Sequence, residues 1–161
     1  MDFEQRLEKA IVRGQQNRDI QAREKADQDM SEEELKSLHS RCRIDLSDHI
    51  EICLKKLANH FPGFRFQTLV SDDGWGAKIS RDDFSRQAGS RSENRYSRFE
   101  MLIRLFSSTH IVEMVAKGTI QNKEVISRAH YQFLNQVDVE SFTELIDLWV
   151  LEYAEKFSEK M

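Results

Sequence analysis

Little in this chain announces a function. Its 161 residues include only two cysteines, Cys42 and Cys53. If both lie on one helix, they stand about 16 Å apart along its axis at ~1.5 Å rise per residue. A disulfide needs Cα atoms within ~7 Å, so a disulfide-stapled scaffold is excluded and free thiols in a reducing compartment are expected. No apolar run approaches the length needed to span a bilayer, so no membrane partner is expected. The opening Met1-Asp2-Phe3-Glu4-Gln5-Arg6 has neither a basic nor an apolar leader region, which favours the cytoplasm.

An excess of charge of one sign is also lacking. The net charge is −4, and it is spread unevenly. Residues 1–60 carry 11 Lys/Arg against 13 Asp/Glu, residues 61–137 carry 11 against 8, and residues 138–161 carry 2 against 7. An acidic total argues against bulk nucleic-acid affinity, which comes largely from neutralised phosphates. Catalytic signatures are missing as well. Gly74-Trp75-Gly76 lacks the following helix and the Lys-Ser/Thr pair of a phosphate loop. No serine or cysteine sits in a nucleophile elbow, and Asp72-Asp73 and Asp82-Asp83 read as turn residues. No catalytic residue or cofactor is therefore expected, and an enzyme stays open only as the third function class, behind a binding module and a small-molecule-binding domain.

What the sequence does contain is a clear β pattern over Phe99–Phe133. Phe99, Met101, Ile103 and Leu105 form one apolar face at period two, and after Ser107-Ser108-Thr109-His110 the apolar positions become Val112, Met114 and Ala116. A turn at Ser108-Thr109 pairs 103 with 114 and 101 with 116, so turn length and pattern agree. A second turn at Gln121-Asn122 would pair 114 with 129 and 112 with 131. That register sends Val125, Ala129, Tyr131 and Phe133 inward and His130 outward, away from an inward His110. The opposite face is charged, apart from Leu102 and Val115 with Ile126 nearby, which form a candidate contact patch. An earlier hairpin pairs Phe66 with Ile79, Thr68 with Ala77 and Val70 with Trp75 across Ser71-Asp72-Asp73-Gly74.

Helices flank this region. Residues 2–28 carry a narrow stripe of Phe3, Leu7 and Ile11 on an otherwise polar helix, which buries little unless a partner completes it. Ser31-Glu32-Glu33-Glu34 is a capping box that starts a helix to about residue 59, stopped by Phe61-Pro62-Gly63. Asp138 caps a last helix over 139–158, whose stripe of Phe142, Leu145, Ile146, Trp149, Val150, Tyr153 and Phe157 should lie across the inner face of the sheet.

These elements give an α+β fold in two layers, a five-stranded antiparallel β-meander (64–70, 75–80, 98–106, 110–120, 123–133) packed under a C-terminal helix and preceded by two N-terminal helices. Residues 1–30 read as a polar helical arm and 31–161 as one domain. Residues 81–97, rich in Ser, Arg and Gly, read as a long connection. Three candidate sites follow. Arg86, Arg91, Arg95, Arg98 and Tyr96 offer phosphate or nucleic-acid contacts on that connection. Phe66, Trp75, Met101, Met114, Tyr131, Trp149 and Tyr153 could line a small-molecule pocket between sheet and last helix. Phe3, Leu7, Ile11, Leu102, Val115 and Ile126 are the candidate interface. Cys42, Asp45, His49 and Cys53 share a helix face, but one straight helix cannot wrap a tetrahedral ion, so no metal is expected. The function expected is a non-enzymatic protein-binding, adaptor or chaperone-like module that homodimerises, with a small-molecule-binding domain as the alternative.

Overall fold

In the computed structural model the described residues are 2–85 and 93–160, with the side chains of 23–29, 84, 85, 93 and 94 left aside. The chain divides into two compact units, Met1–Lys36 and Ser37–Met161. The first holds helix α1 (Phe3–Asp29) and the start of α2 (Glu32–His60). Asp2 Oδ1 accepts the Gln5 N–H, and Ser31 Oγ accepts the Glu34 N–H, so each helix starts on a side-chain cap. The α1 stripe is open, with Phe3 76% and Ile11 51% exposed.

The second unit is the α+β body. Strands β1 (Arg65–Ser71), β2 (Gly74–Ser85), β3 (Glu93–Ile103), β4 (Ile111–Ile120) and β5 (Lys123–Phe133) form one antiparallel sheet in sequence order. Helix α3 (Val139–Lys160) follows a short 3-10 turn. The β1–β2 and β3–β4 registers are those the pattern predicts: Phe66 pairs Ile79, Thr68 pairs Ala77, Val70 pairs Trp75, Met101 pairs Ala116 and Ile103 pairs Met114.

Both helices cover one face of the sheet. From α2, Leu46, Ile50 and Leu54 are fully buried. Its Glu51 accepts a hydrogen bond from Thr68 of β1, while Arg43 stacks over Trp75 at 3.4 Å and Lys55 over Phe66 at 5.0 Å. From α3, Phe142, Ile146 and Tyr153 are fully buried against Ile79, Phe99, Met101 and Met114 of the same core. Each such side chain contributes about 1.5–3 kcal/mol by leaving water. An aromatic column continues the core to the end of α2: Phe99 stacks on Tyr153 at 4.7 Å, and Phe61 and Phe64 meet Phe157 at 4.8 and 5.1 Å.

Two expectations fail. Residues 81–97 are not a long connection, because β2 runs on to Ser85 and β3 starts at Glu93. These strand ends are polar and show no apolar alternation; Arg81 and Asp83 form an ion pair at 2.7 Å, and Asp83 stands opposite Arg95 in the ladder. The β4–β5 register is also shifted by one residue. Gln121 and Asn122 form the two-residue turn, both with positive φ (49° and 69°), as a hairpin of this length requires. Between Gly118 and Thr119 the ladder is irregular: Thr119 pairs Glu124 but Gly118 pairs Ile126, leaving Val125 as a bulge. Met114 therefore pairs His130 and Val112 pairs Gln132. Ile126, His130 and Gln132 face α3, while Tyr131 and Phe133 face outward.

Helix α3 secures this register. Lys156 Nζ donates to the carbonyl of the bulged Val125 at 3.0 Å, and the Tyr153 hydroxyl donates to Thr119 O at 2.8 Å. Arg128 pairs with Glu152 at 2.6 Å, and the His130 ring meets Phe142 at 5.0 Å. Gln132 donates to Ser141 Oγ and accepts the Asp138 N–H, both at 2.7 Å, while Asp138 caps α3 through the Glu140 N–H. Gly118 lets the rings close over the sheet. A Cβ there would lie 2.9 Å from Tyr153 Cδ2 and 3.1 Å from Phe99 Cδ2.

Gly118→Ala is accordingly expected to destabilise the body by about 1–3 kcal/mol, the range for overpacking a filled core. Urea unfolding followed by tyrosine and tryptophan fluorescence measures this, and an unchanged midpoint would show that the ring stack yields.

A second prediction concerns His39, which is 3% exposed and edge-on to Phe106 at 5.7 Å. Its Nε2 is buried without a hydrogen-bond partner. Burial lowers its pKa, a hydrogen bond to the Arg104 backbone opposes this, and Arg43 lowers it further. Between the folded value and the unfolded value of about 6.5, the unfolded chain binds more protons. Stability is therefore full above about pH 6.5 and falls as the pH drops below it. The urea midpoint should fall between about pH 7.5 and about pH 5.5 in the wild type, and fall less in His39→Leu. Parallel pH profiles for the two would dismiss His39 as the titrating group.

Candidate functional site

An open groove of about 590 Å³ lies between α2 and α3. Leu57, Phe61, Val150, Leu151 and Ala154 make it apolar, and Lys56 and His60 stand along the α2 wall. At one end lie Cys53 and Asp147.

Those two residues belong to a cluster with His49. Positions 49 and 53 are one helical turn apart and share a face of α2. Asp147 comes from the flank of α3 that meets α2. His49 Nε2 lies 2.8 Å from Asp147 Oδ1, Cys53 Sγ lies 3.4 Å from the same Nε2, and Cys53 Sγ lies 3.5 Å from the same Oδ1. Each of the three donor atoms is thus within reach of the other two. The backbone beneath is fixed, since Ile50, Leu54 and Ile146 are fully buried.

The triangle limits the chemistry available. In a nucleophilic triad the thiol and the carboxylate engage opposite nitrogens of the imidazole. Here both approach Nε2, so a relay through the ring cannot form. The thiol is also held neutral: burial, then the hydrogen bond to Asp147 and its charge, push the Cys53 pKa up to about 11. A protonated thiol is a poor nucleophile. The same three atoms, an imidazole nitrogen, a sulfur and a carboxylate oxygen, are all metal-ligand types, and no other group of three such residues converges in this way among the described residues.

The residues singled out from sequence distribute as follows. Cys42 is buried, and Cys53 is its less buried counterpart at the groove. Arg86 and Arg91 lie outside the described residues. Arg98 is paired with Glu100 at 2.6 Å on the outer face. Tyr96, 44% exposed, uses its backbone to hold the Asn122 turn, and Arg95 lies on the opposite face of β3 from Tyr96 and Arg98 by alternation. These three described members therefore do not share one surface. Of the pocket candidates, Met101, Met114, Trp149 and Tyr153 are core side chains, Phe66 and Trp75 sit under Lys55 and Arg43, and Tyr131 is on the other side of the sheet. Among the interface candidates, Leu102 and Val115 stand opposite each other on the outer face as expected, whereas Ile126 is 1% exposed on the inner one. The outer patch instead gains Ala129, Tyr131 and Phe133. Asp147 was not distinguishable in sequence from its acidic neighbours on α3.

If Asp147 helps keep the thiol protonated, Asp147→Asn should lower the Cys53 pKa. Alkylation of Cys53 at about pH 8 is then slow in the wild type and faster in the variant, with peptide mapping separating Cys53 from Cys42. Equal rates would show that burial alone sets the thiol. No protein-family model, curated protein or solved structure matches this chain, so its geometry alone carries the functional reading.

Proposed function

We propose that the protein is a non-enzymatic protein-binding module, of the adaptor or chaperone-like kind, that assembles with a second copy of itself. The observation carrying this is the outward aromatic pair on β5. Tyr131 and Phe133, 55% and 52% exposed, stand 6.0 Å apart beside Ile111 on an edge strand of the sheet. Val115 and Ala129 continue the apolar row across β4 and β5, and Leu102 behind Val115 is buried at 8% exposed. An apolar strip on a sheet face, ending in aromatic side chains at an unpaired edge, is the composition of an association surface. The open stripe of Phe3, Leu7 and Ile11 on α1 supports the same reading from the first unit. No helix among the described residues is long and apolar enough to cross a membrane, and the two free cysteines suit a reducing, cytoplasmic setting.

A small-molecule pocket between the sheet and α3 has less behind it, because Met101, Met114, Tyr153 and Trp149 fill that space.

Light scattering on the full chain tests the assembly. The wild type is expected at twice the chain mass of 19.0 kDa. The double substitution Tyr131→Ser with Phe133→Ser should return it to the monomer, and Leu7→Glu with Ile11→Glu reports separately on the arm. A wild-type monomer throughout a concentration series would refute self-assembly. A dimer that survives the β5 substitutions would refute this surface.

A further inference from the structure

We propose that His49, Cys53 and Asp147 bind one divalent cation of the zinc class, with a fourth coordination position open toward the groove between α2 and α3. The inference is independent of the assembly reading.

The ligand set comes first. One imidazole nitrogen, one sulfur and one carboxylate oxygen suit a borderline cation such as Zn²⁺ or Co²⁺. Mg²⁺ and Ca²⁺ ask for oxygen ligands throughout. Spacing is the second argument. Ordinary Zn–N and Zn–O lengths of ~2.0–2.1 Å and a Zn–S length of ~2.3 Å build a tetrahedron with edges of about 3.3 Å between N and O and about 3.5 Å from S to either. The edges found are 2.8 Å for His49–Asp147, 3.4 Å for Cys53–His49 and 3.5 Å for Cys53–Asp147. Two edges already match. The third must open by about half an ångström, which Asp147 can supply because its side chain is 52% exposed.

Preorganisation and access complete the case. The helix turns that carry the ligands are anchored by Ile50, Leu54 and Ile146, all fully buried, so ordering the site costs little. The partly exposed His49 and Asp147 leave a path for the ion. Two of the three ligands also line the groove. Three protein ligands with one position left open is the arrangement that holds a water or an incoming donor group, whereas purely structural zinc sites use four protein ligands. Coordination replaces the thiol proton: the S–H bond breaks, an S–metal bond forms, and one proton leaves to solvent. Binding should therefore tighten as pH rises.

The test is a Co²⁺ titration of the full chain after chelator treatment and dialysis. A thiolate-to-cobalt charge-transfer band and the visible bands of a tetrahedral ion are expected to saturate at one Co²⁺ per chain, and Zn²⁺ should bleach them. Cys53→Ser should abolish the charge-transfer band. His49→Gln and Asp147→Asn should each weaken binding at least about tenfold, the scale on which even an outer-shell partner matters. Cys42→Ser should leave the spectrum unchanged. Circular dichroism checks that each variant folds. If Cys53→Ser does not fold, Asp147→Asn decides the matter, since its side chain is half in solvent. No charge-transfer band on the folded wild type, or a band that Asp147→Asn leaves at full affinity, would overturn the site.

Discussion

The bulge at Val125 is the constraint on which the rest of the body depends. One extra residue in β5 turns every later side chain of that strand to the other face. The price is a backbone carbonyl out of the ladder, and α3 provides for it: Lys156 donates to Val125 O, while Tyr153 donates to Thr119 O across the bulge. Burial holds the Tyr153 phenol well above its usual pKa, so it remains a donor at any physiological pH. Gly118, opposite Ile126 where the ladder resumes, removes the one Cβ that would keep the Tyr153 ring away. The flipped strand then offers α3 a polar inner edge of Arg128, His130 and Gln132. Partly exposed pairs such as Arg128–Glu152 are worth at most about 1 kcal/mol each. Apolar burial therefore holds α3 down, and the polar contacts set where along the sheet it sits.

That placement determines what α3 presents to α2. Ile146, Val150 and Tyr153 go into the core, and Asp147 on the adjoining flank is carried to His49 and Cys53. A sheet irregularity and the triangle between the helices are thus linked through one rigid element. The groove belongs to the same arrangement, with Leu57 of α2 and Val150 and Ala154 of α3 among its lining.

The hairpins legible in the sequence are those whose ladders run without a bulge. In the β1–β2 and β3–β4 hairpins, turn length and apolar parity pick the same register, and Phe66–Ile79 and Ile103–Met114 pair accordingly. In β5 they again choose one register, and the bulge at Val125 overrides it. The odd positions Val125, Ala129, Tyr131 and Phe133 are more apolar than the even ones, so pattern alone chooses the wrong face. The far ends of β2 and β3 are hidden for another reason: Arg81, Asp82, Asp83 and Arg95 carry no hydrophobic alternation, and what defines those strands is the backbone ladder and charge pairing. At the candidate site the i, i+4 pair of His49 and Cys53 was visible. Its third member was not, because Asp147 comes near only through tertiary packing.

The override in β5 sets the hairpin's own pattern against the helix that packs on it. A hairpin that closes on turn and parity alone, without the bulge, would bring Val125, Ala129, Tyr131 and Phe133 onto the inner face and match the local hydrophobic pattern better than the native one. Until α3 arrives, nothing in the isolated hairpin gives Val125 O or Gln132 a partner from that helix. The C-terminal helix therefore supplies, from outside the hairpin, the contacts that favour the bulged register over the one the strand's own pattern prefers.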